Sequence, residues 1–89
     1  MIDGTYKGEA QNGPVSVIAE VTIQNQRIAN IKLIKHRNWK GKAAEQVVVS
    51  IIEEQSTHVD AVSGATVSSV AIMNAVEDAI QKAQKEQNK

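Results

Sequence analysis

The chain has 89 residues, no cysteine, and as many basic as acidic side chains. That excludes disulfides and thiolate metal sites, and the balanced charge gives no basic face for nucleic acid. One Trp and one Tyr are the only aromatics, so there is no stacking platform for bases either. The length is that of one small domain with a poor surface-to-volume ratio. His36 and His58 stand far apart and lack metal-site spacing. No apolar run reaches membrane-spanning length, and no signal peptide is visible.

The first half reads as strands. Residues 4–10, GTYKGEA, are short and polar and suit an edge strand. Gln11-Asn12-Gly13-Pro14 is a hairpin signal, because Asn-Gly tolerates positive φ. In residues 15–24, Val15, Val17, Ala19, Val21 and Ile23 share one face. Asn25-Gln26 marks a second turn. Residues 27–36 read as a third strand of mixed parity. A strict alternation puts Ile28 and Ile34 with Asn30, Lys32 and His36, and Ala29, Ile31 and Leu33 opposite.

The second half reads as helices. Ala44, Val47, Val48, Ile51 and Ile52 follow amphipathic spacing. The β-branched run Val47-Val48-Val49 weakens that pattern without overturning it. Residues 57–62, THVDAV, are a candidate for a short extra strand. A second helix is expected over about 67–86, with Ile72, Val76, Ala79, Ile80 and Ala83 as its stripe. Residues 84–89 carry no apolar side chain and are expected to fray. The resulting fold class is α+β: a three-stranded antiparallel meander with two helices packed on one face.

The segment Asp60-Ala61-Val62-Ser63-Gly64-Ala65-Thr66 opens the second helix with small residues. One reading is an ordinary helix start: Ser63 or Thr66 caps, Gly64 turns the chain, and Asp60 complements the dipole. The other starts from the free N–H groups and positive end that a helix N-terminus offers to phosphate. Thr66 places a hydroxyl at that spot, where phosphate is either hydrogen-bonded or esterified. No adjacent base has catalytic spacing, so a modified Thr66 implies a separate modifying enzyme.

This segment resembles the flavinylation motif of the FMN-binding domain family. That family includes the covalent-FMN domains of the sodium-translocating NADH:quinone oxidoreductase and of the related electron-transport complex. Its motif is Asp, two variable residues, Ser or Thr, Gly, Ala, then Thr or Ser. Asp3-Gly4-Thr5-Tyr6 is similar to the family's opening strand, and the strand ending at His36 and the pair Gln55-Ser56 are similar too. The loop Arg37-Asn38-Trp39-Lys40-Gly41 departs from the Glu, Thr, Pro and Gly of many relatives, and a Pro common ahead of the helix is absent.

The resemblance implies FMN joined through its phosphate to Thr66 by a flavin transferase, with Asp60, Ser63, Gly64 and Ala65 around the attachment. Trp39 either stacks on the flavin or anchors the sheet edge. Tyr6 is a core or sheet residue or a ligand contact, and His36 bonds the ring or sits exposed at a strand end. Lys40 and Lys42 approach the phosphate or are simply solvated. The implied role is an electron carrier in a membrane-associated redox chain, partnered by redox proteins or a quinone-linked complex. No catalytic residue, metal or membrane span is expected in the chain. No dinucleotide fingerprint is present, so direct oxidation of NADH is not expected. The family pattern implies the outer face of the cell membrane for a domain excised from a longer protein, and the cytoplasm for a complete chain. Rival readings are a non-covalent FMN module and a plain protein-interaction domain.

Overall fold

A computed structural model describes residues 2–13, 15–36, 41–62 and 64–87. Its elements are β1 (Gly4–Asn12), β2 (Val15–Gln24), β3 (Arg27–His36), α1 (Gly41–Glu54) and α2 (Thr66–Gln87). The strands form one antiparallel sheet in the order β1-β2-β3. Residues 57–62 do not add a strand to it; they run as unpaired chain between the helices. α2 remains helical through Gln87, although Gln84 and Lys85 are exposed.

The alternation of β2 builds the middle of the core: Val17, Ala19, Val21 and Ile23 are fully buried. β3 does not obey a period of two. Ile23 pairs with Ile28 while Thr22 pairs with Asn30, so Ala29 is an extra residue; a second register shift makes Ile34 extra. Each such β-bulge moves the following side chains to the other face. Ile28, Ile31 and Leu33 therefore all face the helices, and Ile34 stays exposed. The parity read from sequence separated Ile28 from Ile31 because it assumed an unbroken ladder.

The open face of the sheet is polar. Lys7, Glu20 and Lys32 occupy one row across the three strands, with Thr5, Thr22 and Asn30 in the row beside it. Opposite charges at facing positions support the pairing by about 0.2–1 kcal/mol each. At the β2–β3 turn Asn25 and Gln26 have φ of 55° and 65°. Positive φ at both central residues is the type I′ geometry that matches strand twist. The Asn25 N–H also donates to Asp3 Oδ1 at 3.0 Å.

α1 buries Ala44, Val47 and Ile51, and leaves Val49 half exposed. It ends in a left-handed residue that is not glycine: Gln55 has φ 53°, and the Ser56 N–H reaches back to Ile51 O at 3.3 Å. That is a Schellman ending. The Gln55 side chain explains why it is there. Its Nε2 donates to Ile28 O at 3.0 Å and Ile52 O at 2.6 Å, and its Oε1 accepts from Ile28 N at 2.7 Å. One amide thus joins the end of α1 to the edge of β3. Gln55→Leu should lower stability by about 1–3 kcal/mol through the unpaired groups it leaves, read as a shift in the urea midpoint without a change in slope. An unchanged midpoint would show that water replaces the amide at no cost.

α2 lies antiparallel to β1. Asn12 Nδ2 donates to Val67 O at 3.2 Å at one end, and Lys82 Nζ donates to Lys7 O at 2.8 Å at the other. Between them Glu9 N donates to Asp78 Oδ2 at 3.0 Å. The Lys82–Asp78 pair, 3.5 Å apart and exposed, adds only a few tenths of a kcal/mol of its own, roughly 0.3–0.5. The contact is close because the facing residues are small. Gly8 is buried, and Ala71, Ala75, Ala79 and Ala83 are fully buried on α2.

Candidate functional site

The candidate site lies at the first turn of α2, where the sequence pointed. Ala65 O accepts from Ser69 N at 2.9 Å, so Ala65 stands at the N-cap and Thr66 is the first helical residue. An alanine offers no oxygen to the helix start. Among the described residues, nothing accepts from the backbone N–H groups of Thr66, Val67 and Ser68. Thr66 is exposed, and its hydroxyl bonds to no described residue. A capping oxygen stands one residue earlier than Thr66 does, so Thr66 does not cap. Ser63, the other expected cap, lies outside the described residues, as do Trp39 and Lys40.

The turn before the helix is fixed from two sides. Ala65 N donates to Val62 O at 2.9 Å, and Gly64 has φ 82°. Positive φ at the third position of a turn favours glycine. A Cβ on Gly64 would meet nothing within 4 Å. The glycine therefore serves the backbone conformation, and the space beside it is open in any case.

Ser69 holds the other side, and sequence reasoning missed it. It is 1% exposed. Its hydroxyl accepts from Val62 N at 3.1 Å and donates to Ala65 O at 2.8 Å. The signal was present: a serine in phase with the stripe of Ile72 and Val76 is on the buried face and needs partners. Ser69→Ala should cost about 1–3 kcal/mol, because it orphans the Val62 N–H. It should also slow any chemistry at Thr66 while leaving the Thr66 hydroxyl in place. Stability and reaction rate measured on the same sample check both; a destabilised protein with an unchanged rate would free the turn from this role.

The segment leading into the turn is tied to α2 by a hydrogen bond from Thr57 Oγ1 to Glu77 Oε2. Asp60, Ala61 and Val62 then form one wall of an open cleft of about 890 Å³, whose other wall is Glu45, Gln46, Val49 and Ser50 of α1. Asp60 is exposed.

The weaker candidates divide. The backbone of His36 pairs with Val17, two residues from the Val15 that faces Asn12, so the end of β3 lies at the same end of the sheet as the start of α2. Tyr6 is elsewhere. It sits six residues before Asn12 on β1, about 20 Å away at strand spacing. It packs against the core, and its hydroxyl donates to Ile2 O at 2.7 Å.

Three N–H groups without a partner among the described residues, at the positive end of a 22-residue helix, an exposed hydroxyl beside them and open space at Gly64 suit a phosphate group. Among the described residues no cluster of His, Asp or Glu is arranged to hold a metal ion, and no helix is long and apolar enough to cross a membrane.

The model of the FMN-binding domain matches residues 11–81, and the chain belongs to that family. FMN is accordingly its cofactor class. The chain is 40% identical to an uncharacterized protein of Treponema pallidum over 94% of its own length, and 35% identical to a urocanate reductase of Eggerthella lenta over 84%. It spans only 24% and 13% of those two proteins. Its fold matches a solution NMR structure from Clostridium thermocellum with a TM-score of 0.65 at 20% identity, covering 94% of this chain and 93% of that one.

Proposed function

We propose that this domain carries FMN as a phosphoester on Thr66 and works as an electron carrier, being the substrate of a flavin transferase and not an enzyme in its own right. The observation that supports this most directly is the exposed Thr66 hydroxyl, bonded to no described residue, beside the N–H groups of Thr66, Val67 and Ser68, which donate to no described residue. In the attachment step the Thr66 Oγ–phosphorus bond forms and the pyrophosphate bond of FAD breaks. AMP leaves, and the hydroxyl proton passes to a base on the transferase. FMN supplies exchange of one or two electrons; the chain supplies anchoring and orientation. Its N–H groups hold the phosphate charge, Gly64 and Ser69 hold the turn, and Asp60 marks the segment for the transferase.

The urocanate reductase relative supports a redox setting. A redox protein or quinone-linked complex at a membrane is the partner this reading calls for. The test is mass under denaturing conditions. Made with a flavin transferase, the protein should gain one FMN less one water; made without one, it should fold at its unmodified mass and be colourless. Flavin that is bound in the folded protein but released on denaturation would replace the ester with a non-covalent site. No flavin under either condition, with the transferase active on another substrate, would leave a protein-interaction domain.

A further inference from the structure

Val49 is 50% exposed on α1, beyond the stripe that packs the core. It lines the α1 wall of the cleft with Glu45, Gln46 and Ser50, and Asp60, Ala61 and Val62 line the other. Val62 belongs to both this cleft and the turn before Thr66. Its Cα lies within about 7 Å of that of Ala65, as a β-turn requires.

We propose that this cleft seats the isoalloxazine ring of an FMN attached at Thr66, with the methyl groups of Val49 and Val62 against its face. The inference rests on attachment at Thr66 and adds where the ring goes. Charge sets the direction. The phosphate belongs at the positive end of α2, whereas Glu45 and Asp60 repel it from the cleft. The ring is neutral when oxidised, and its imide N–H is a donor for which Glu45, Asp60, Gln46 and Ser50 offer acceptors. Apolar side chains with a few polar groups among them are the usual make-up of a small-molecule site. The half-exposed Val49 is thereby accounted for, at a position the core does not need.

The experiment compares amide chemical shifts of the empty and FMN-loaded protein, with the mass spectrum reporting attachment separately. Changes should extend beyond residues 64–68 to Glu45–Ser50 and Asp60–Val62. Val49→Asp should leave the mass gain intact and abolish the visible circular dichroism of the bound flavin. Changes confined to 64–68 would mean that the ring stands in water, and changes at Asn12, Gly13 and Val67 would put it over the hairpin end; either overturns the proposal. If the mass does not rise at all, attachment fails, and the map is repeated with free FMN at millimolar concentration. Shifts at Val49, Ala61 and Val62 then uphold the cleft, and their absence removes it.

Discussion

Thr66→Ala, produced together with a flavin transferase, should fold like the parent and stay at its unmodified mass. The acceptor oxygen is gone, so the loss of labelling should be complete. The fold should survive because Thr66 is exposed and its hydroxyl bonds to no described residue. Surface changes of that kind lie within about 0.5 kcal/mol, less than the loss of a true cap at about 1 kcal/mol. Thr66→Ser should keep labelling, since the hydroxyl stays at the first position of α2. Denaturant midpoints and intact mass, taken on the same samples, decide the matter. A folded Thr66→Ala protein that still gains FMN covalently would end the assignment of the ester to this residue.

Gly8→Ala should be the most damaging single methyl in the described chain. Its Cβ would stand 1.9 Å from Ala75 O and 2.5 Å from Ala79 N, both backbone atoms of α2. Neither can rotate away, so the helix must lift off β1, and with it the contacts of Ala71, Ala75 and Ala79. Overpacking of this kind costs about 1–3 kcal/mol and occasionally more, and the backbone clash puts Gly8 at the upper end. For a domain of this size that is a fall in Tm of more than about 10 °C. Gly13→Ala is the control. It has φ 62° and nothing within 4 Å of a Cβ, so it suffers backbone strain alone and should lose less. Equal losses in the two would mean that α2 yields to the methyl, and that the close approach is not what stabilises the pair.

The sequence reading succeeded where one local rule governed the residues. β2 alternates because its inner face meets α2 and its outer face meets water. The stripe of α2 appears as spaced because that helix is buried along one side. β3 failed because a bulge leaves no mark in a period-two pattern; Ala29 looks like any strand residue until its partner is known. Gly8 was hidden for a related reason. In GTYKGEA it reads as a weak strand former, and only the helix lying on it gives it a purpose. At the candidate site the start of α2 and the turn at Gly64 were legible as a short motif. The roles around it were not, because capping depends on a one-residue offset, and Ser69 acts through partners four and seven residues away.

Both outer strands of the sheet have part of their backbone occupied by side chains. On β1, Asp78 takes the Glu9 N–H and Lys82 serves the Lys7 carbonyl; on β3, the Gln55 amide takes both groups of Ile28. Open strand edges invite another chain to extend the sheet, and domains suppress this with charges and covers. The relatives named above are several times longer than the matched segment, and a domain tethered in a long chain meets its neighbours at high effective concentration. Sides closed in this way let a cofactor-bearing unit be joined to different proteins without sticking to them. In the proposed carrier role, contact with a redox partner would then fall to the end of the molecule where α2 begins.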